Sequence, residues 1–251
     1  MKKQELEKLF VDPGAQYRGK PFWSWNGELR EAELKRQVGV MKEMGLGGYF
    51  MHSRAGLITE YLGDEWFDLI NAVADEGEKQ GMEAWLYDED RWPSGSAGGK
   101  VTVDPQYRMK SLVLFEMAPE AFRWDDDTLL AFVARIDDLN LGQYQSIDAD
   151  TDVPALIASL GDGGMAGEWR VLRFAIVPDA CSSGYNGTTY IDTMSYKAVY
   201  KFIELTHEEY LRRCGDRIGR SIKGIFTDEP HRGHCMDNLH EENGVLSCSM
   251  A

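Results

Sequence analysis

Apolar and polar residues recur along this chain with two different periods, and the switches between them mark its elements. Phe22-Trp23-Ser24-Trp25 is a short aromatic run closed by Asn26-Gly27, which reads as a strand and its turn. Leu34, Val38, Met41 and Gly45 follow at spacings of four, three and four. That is the period of a helix, with glycine where a C-terminal cap belongs. Gly48-Tyr49-Phe50-Met51-His52 has the pattern of a buried strand. Trp66, Ile70, Val73 and Gly77 mark a second amphipathic helix that stops at Gly81. The strand Met82–Tyr87 comes at once and runs into Asp88-Glu89-Asp90. The ends at Trp25, His52 and Asp88 lie 27 and then 36 residues apart, close to the ~30 residues of one strand–helix unit. Short loops between alternating strands and helices predict parallel pairing with right-handed crossovers, hence an α/β fold.

The rhythm breaks from about Pro105 to Gly187. Runs at Leu112–Phe115, Leu129–Ile136 and Val171–Val177 read as strands, separated by turns at Asp125-Asp126-Asp127 and Gly161-Asp162-Gly163-Gly164. This predicts an antiparallel insertion between residues 105 and 187. The α/β pattern resumes with Thr189-Tyr190-Ile191-Asp192, a long helix from about Ser195 to Cys214, and Gly224-Ile225-Phe226-Thr227 ending in Asp228-Glu229-Pro230. Five parallel strands are thus expected where a closed (β/α)8 barrel needs eight. The expected organisation is residues 1–104 as the first units of a TIM-type barrel, the insertion, and residues 188–251 as further barrel units of a truncated domain.

Composition narrows the function. With 27 Lys+Arg against 42 Asp+Glu, the net charge is −15, which repels phosphate backbones and anionic lipid surfaces. Nucleic acid and membrane are therefore not expected as partners. No apolar run approaches the ~20 residues of a membrane span, and no apolar segment follows the basic N-terminus as a secretory signal requires. Cys181, Cys214, Cys235 and Cys248 form no Cys-x-x-Cys pair, so reduced thiols and a cytoplasmic location are expected.

Chemistry is sought at the C-terminal ends of parallel strands, where α/β folds place their sites. Glu229 is the sharpest candidate, since Asp-Glu-Pro leaves a strand there; a surface carboxylate is the plain alternative. Carboxyls gathered at one strand-end mouth can divide the work of acid and base, one giving a proton and another taking one up. Crowding by Asp88, Glu89, Asp90 and Asp228 is expected to raise the pKa of such an acid, so Glu229 is assigned as general acid. The acids 88–90 need compensation from Arg91 and Arg54, from sugar hydroxyls or from a metal ion. Ser94-Gly95-Ser96-Ala97-Gly98-Gly99 lacks the lysine of a phosphate loop and reads as a flexible site loop. His52 is either a strand-end ligand or a structural histidine. Trp23, Trp25, Trp85 and Trp92 are either core or a stacking wall for sugar rings. His231 and His234 are weakly spaced for a metal.

These blocks together resemble a known group. Phe22-Trp23-Ser24-Trp25-Asn26, Gly47–Arg54, Leu86–Gly95, Tyr190–Met194, Phe202–Glu208 and Ile225–Pro230, in this order, look like the bacterial glycoside hydrolase family 106, the α-L-rhamnosidase-like proteins. The resemblance spans roughly Pro21 to Pro230. It implies a (β/α)8 barrel at the front of a longer protein with β-sandwich modules behind it. It further implies cleavage of terminal α-L-rhamnosides with inversion, assisted by bound calcium. Glu229 matches the family's strand-end acid. On this resemblance the later barrel strands and the second catalytic carboxylate are expected beyond residue 251. His52, Arg54, Asp88, Asp90 and Asp192 become candidate sugar or calcium contacts, with Trp23, Trp25, Trp92 and Asp228 beside them. Two other classes stay open: a metal-dependent hydrolase using His52, Asp88, His231 and Asp228, and a non-catalytic carbohydrate-binding fragment.

Overall fold

A computed structural model describes residues 3–138, 140–161, 164, 166–231, 240–242 and 245–250. The chain forms two compact units, one from Met1–Arg108 with Cys181–His231 and one from Met109–Ala180 with Arg232–Ala251. The first unit begins with α1 (Lys3–Val11), β1 (Phe22–Gly27), α2 (Glu31–Glu43), β2 (Gly48–Leu57), α3 (Asp64–Lys79) and β3 (Glu83–Tyr87). Helix α2 buries Leu34, Val38 and Met41, the residues its spacing predicts, and the chain leaves it through Gly45 at φ +83°. Helix α3 carries acids in its first turn and a lysine in its last, which suits the helix dipole. Gly77 is required there, because a Cβ would lie 2.3 Å from the Tyr49 hydroxyl oxygen. The glycine lets the helix close on β2, where that hydroxyl donates to Val73 O at 2.8 Å.

The chain then enters the second unit: β4 (Lys110–Met117), β5 (Thr128–Asp137), β6 (Asn140–Ile147), α4 (Val153–Leu160) and β7 (Glu168–Pro178). It returns for α5 (Tyr196–Ile203), a π-helical turn (Glu204–Glu208), α6 (Glu209–Cys214) and β8 (Ile222–Phe226), and ends in β9 (His240–Glu242) and β10 (Val245–Met250). In the first unit β1, β2, β3 and β8 form a parallel sheet in that order. Among the described residues it has four strands and not the five expected, and a closed barrel is not what they form. Thr189–Asp192 is not a strand: Ile191 makes one bridge to Arg108. Thr189 O instead accepts from Thr102 Oγ1 at 2.9 Å and the Tyr190 hydroxyl donates to Ser94 O at 2.6 Å, so this segment serves the 94–102 loop.

The second unit is an antiparallel sheet in the order β6-β5-β7-β4-β10-β9. Met117, Phe122, Val133, Ile147, Val153 and Val171 form its core, and Asp152 caps α4 by accepting from Ala155 N at 3.0 Å. Its contiguous part is 109–180, narrower than the expected 105–187, because Tyr107 O accepts from Asp192 N in the first unit. A second correction concerns the end of the chain. Residues 240–242 and 245–250 do not continue the barrel pattern; β10 runs antiparallel to β4, Leu246 opposite Glu116 through Met250 opposite Leu112. Leu246, Cys248 and Met250 alternating with serines is a strand period of two. No described helix is long and apolar enough to cross a membrane.

The parallel sheet has two unlike faces. Against the helices lie Trp25, Tyr49, Met51, Leu86 and Ile222, packed on Trp66, Ile70 and Val73. Burying each such side chain contributes roughly 1.5–3 kcal/mol. The opposite face carries an aromatic ladder: Phe22 beside Phe50 at 5.1 Å, Phe50 beside Trp85 at 5.5 Å, and Phe226 within 5.0 Å of Phe22. Phe22 is 51% exposed, so this face is open to solvent.

Candidate active site

Two adjacent strand ends build the site. Tyr87 of β3 pairs with Phe226 of β8, which sets Asp88-Glu89-Asp90 next to Thr227-Asp228-Glu229. Alternation along β3 puts Trp85 and Tyr87 on one face, and the strand ends there.

Asp88 is fully buried and acts as a hub. Its Oδ1 accepts from Ser94 Oγ and its Oδ2 from Thr227 Oγ1, each at 2.6 Å. His207 Nε2 lies 3.4 Å from Oδ2. Burial pushes the Asp88 pKa up, against the pull of both hydroxyls and of His207. Ser94 holds the Asp228 peptide from both sides: Asp228 N donates to Ser94 Oγ at 2.8 Å, and Ser94 N donates to Asp228 O at 2.9 Å.

Glu89 explains the glycine-rich loop. Gly95 N, Ser96 N and Ala97 N donate to its Oε2 at 3.0, 2.8 and 2.8 Å. Asp90 N donates to Oε1 at 2.9 Å, and Gly98 N donates to the same oxygen. This is a backbone nest, a concavity that binds anions, closed here on the chain's own carboxyl. Left-handed φ values at Ala97 (+50°), Gly98 (+64°) and Gly99 (+84°) fold the loop around it. Ser94, Ser96 and Ala97 are buried, so the loop expected to be flexible is built around Glu89. Burial raises the Glu89 pKa to about 7 even though the backbone N–H groups oppose the shift.

Asp90 is also filled, by Ser53 Oγ at 2.5 Å, Asn186 Nδ2 at 2.9 Å and Arg91 Nε at 3.5 Å. The last β8 acids differ. Asp228 is half-buried, and its Oδ2 lies 3.0 Å from the Tyr87 hydroxyl, whose single hydrogen it shares with Arg91 O at 2.7 Å. Glu229 is exposed, stands at φ +43°, and accepts at Oε2 from Trp92 Nε1 at 3.0 Å. Trp92 is itself 52% exposed. The crowding expected around Glu229 lies instead at Asp88 and Glu89.

The other predicted residues divide. His52 is buried on the aromatic face, stacked on Tyr87 at 3.7 Å, and its Nδ1 has no hydrogen-bond partner among the described residues. Burial, then the Arg54 charge, lowers its pKa. Arg54 is exposed. Trp23 and Trp25 are no stacking wall: Trp25 is 1% exposed and edge-on to Trp66, and Trp23 Nε1 donates to Gln37 Oε1. Asp192 closes a turn before α5 by accepting from Met194 N at 3.0 Å. His231 stacks on Tyr190 at 4.4 Å, while His234 and Cys235 lie outside the described residues. Tyr87 and His207 are site residues that sequence reasoning did not single out, and Ser94, read only as part of a flexible site loop, is a fixed hydrogen-bonding partner of Asp88.

Calcium needs six to eight oxygens. The oxygens of Asp88, Glu89 and Asp90 are each taken by protein donors, and no group of three or more His, Cys, Asp or Glu among the described residues is arranged to hold a metal. These residues do not fit a calcium or zinc ion, and no chemistry is derived through one.

The chain matches no family model. It is 23% identical over 278 aligned positions to a protein of Formosa agariphila named "Putative beta-glucuronidase", covering 89% of this chain and 24% of that one. Its fold is similar to that of a rhamnosidase from Novosphingobium sp. PP1Y, with a TM-score of 0.52 at 14% identity over 89% of this chain and 39% of the other. The chain therefore spans about a quarter of that curated relative and well under half of that solved chain.

Proposed function

We propose that this chain forms part of the catalytic domain of a glycoside hydrolase, with terminal α-L-rhamnosides as the favoured substrates. The observation that carries the reading is the pairing of Glu229 with Trp92 at the C-terminal end of a parallel sheet. An open carboxyl beside an exposed indole offers a proton donor next to a flat apolar surface, the combination that a sugar ring and its glycosidic oxygen require. Glycosidase names on a sequence relative and on a structural neighbour support the class. The rhamnoside preference rests on the order of the motif blocks and on the neighbour's name, and the relative's name makes β-glucuronides the competing substrate.

In this reading Glu229 delivers a proton to the leaving oxygen. Asp228, oriented by Tyr87 and Ser94, places the peptide from which Glu229 projects. Trp92 orients the carboxyl through its indole N–H and offers its ring to the sugar. The metal-dependent alternative gains nothing from the structure, since Asp88 is buried among hydroxyl donors and His231 is stacked on Tyr190.

The test is a panel of aryl glycosides, α-L-rhamnoside and β-D-glucuronide among them, assayed on the purified chain and on any longer natural polypeptide that contains it. Glu229→Gln keeps the shape and removes the proton. It is expected to lower turnover of natural glycosides by ~10²–10⁴-fold and to affect activated aryl glycosides much less, because their leaving groups need little protonation. Equal losses on both substrates move Glu229 out of the acid role.

A further inference from the structure

Helix α5, the π turn and α6 bury Ala198, Phe202, Thr206, Tyr210 and Cys214, a stripe with a strict period of four. On a regular helix each four-residue step overshoots a full turn by about 40°, so this stripe would wind off the core. The π turn at Glu204–Glu208 takes up the extra residue, as such turns do, often beside functional sites. It leaves Thr206 buried and turns the next residue, His207, toward Asp88.

Hydrogen accounting then fixes the protons. The Thr206 hydroxyl has one hydrogen and donates it to Phe202 O at 2.7 Å. It also lies 2.9 Å from His207 Nδ1, and in the rotamer that donates to Phe202 O it can only accept there. Nδ1 therefore carries a hydrogen. On the far side, Nε2 faces Asp88 Oδ2 at 3.4 Å. A bare Nε2 lone pair against a buried carboxylate would be repulsive, so one proton must lie between them, on the imidazole or on the carboxyl.

We propose that His207 is a positioning residue of the site, sharing one proton with Asp88 and, through Asp88 and Ser94, fixing the peptide of Asp228 from which Glu229 projects. The path starts with an ion-pair contact, Nε2 to Asp88 Oδ2 at 3.4 Å, and goes on through two hydrogen bonds, Ser94 Oγ to Asp88 Oδ1 and Asp228 N to Ser94 Oγ. Thr227, the residue before Asp228, donates to the same Asp88 oxygen that His207 faces. The side chain of His207 is 31% exposed, and it makes no hydrogen bond or ion pair with Glu229 among the described residues. The catalytic consequence rests on the glycosidase reading; the proton placement does not.

The experiment has two arms. In the first, ¹⁵N NMR of the histidine-labelled chain reads the His207 tautomer, and amide shifts of Asp228 and Glu229 are compared among the parent, His207→Gln, Asp88→Asn and the surface control Lys197→Ala. The expected result is a protonated Nδ1 in the parent, and Asp228 amide shifts that move in the first two variants beyond those of the control. A bare Nδ1, or an Asp228 amide that stays in place in both variants, overturns the proposal. In the second arm, on the longest active polypeptide, His207→Ala is expected to lower kcat roughly 10–100-fold, the scale of a small misplacement of reacting groups. KM should change little, and His207→Gln should recover part of the loss. An unchanged kcat overturns the positioning role. If the parent cleaves no glycoside, the glycosidase reading fails, and the NMR arm still decides the proposal about His207.

Discussion

Ser94→Ala removes one oxygen atom and separates two groups that nothing else can satisfy. Ser94 is fully buried; its hydroxyl donates to Asp88 Oδ1 at 2.6 Å and accepts from Asp228 N at 2.8 Å. Alanine offers neither a donor to Asp88 Oδ1 nor an acceptor to Asp228 N, so both lose this partner. A hydrogen bond to a charged group is worth ~1.5–3 kcal/mol, and an orphaned buried N–H costs ~1–3 kcal/mol. Because the bonds of Ser94 N and O survive, the expected loss is the sum of these two alone, about 2.5–6 kcal/mol. The neighbouring Ser96 is the control. It is equally buried, but its hydroxyl reaches only Thr189 O at 3.4 Å, an oxygen that Thr102 Oγ1 also serves. Ser96→Ala should therefore cost under about 1 kcal/mol. Urea denaturation followed by tryptophan fluorescence measures both, since Trp23, Trp25, Trp66, Trp85 and Trp92 all belong to the first unit. An unchanged slope with denaturant keeps the comparison valid. A Ser94→Ala loss below about 0.5 kcal/mol, or one no larger than that of Ser96→Ala, would refute the hub.

Three further outcomes follow from the same contacts. The pKa of His52 is lowered in the fold, so the unfolded chain binds its proton first; stability from this group is full above about pH 6.5 and is lost as pH falls below that value. His52→Gln should remove that acid-side slope, read as the difference between the two stability–pH profiles. Glu89 acts in the opposite sense: raised to about 7 from its ordinary 4.5, it contributes fully below pH 4.5 and loses about 3 kcal/mol as pH rises through 7, a slope that Glu89→Gln should flatten in urea titrations at several pH values. Gly95→Ala places a Cβ 2.5 Å from Ile191 Cγ2 at φ +146° and should cost roughly 1–3 kcal/mol or more in a thermal melt, whereas Gly81→Ala, at φ +66° with open space around it, should cost about 1 kcal/mol; equal effects would discount the steric argument.

The strands and helices around the site were legible because each is a clean periodic run ended by glycine: Leu34–Val38–Met41 to Gly45, and Trp66–Ile70–Val73 to Gly81. The site itself was half legible. Strand-end logic finds Asp88, Asp90, Asp228 and Glu229, but not what each carboxyl faces. Ser94–Gly99 reads as flexible because glycine is the cheapest residue in an unfolded loop; in the fold the same glycines permit the left-handed turns that aim N–H groups at Glu89. Trp23 and Trp25 share a strand face by alternation, yet nothing in Phe22–Gly27 says which face meets the helices. His207 was readable in principle, since a stripe with period four instead of 3.6 announces a π turn. The strand β10 was hidden because its partner β4 lies far away in sequence.

Donor counts separate the carboxyls into framework and working groups. Glu89 accepts from five backbone N–H groups, and Asp88 and Asp90 have both oxygens bound by side-chain donors. A carboxyl held this way must break several bonds before it can meet a substrate oxygen, at ~1–3 kcal/mol for each group left unpaired. It is therefore a poor proton carrier however its pKa is shifted. Among the described residues Glu229 and Asp228 each accept one side-chain hydrogen bond, from Trp92 and Tyr87, and Glu229 is open to solvent. Each has a free oxygen for a ligand at no such cost. The raised pKa values of Asp88 and Glu89, taken alone, would point to them as the acids of the reaction. On the reading proposed above, their saturated surroundings make them instead the scaffold that holds the Asp228-Glu229 peptide in place.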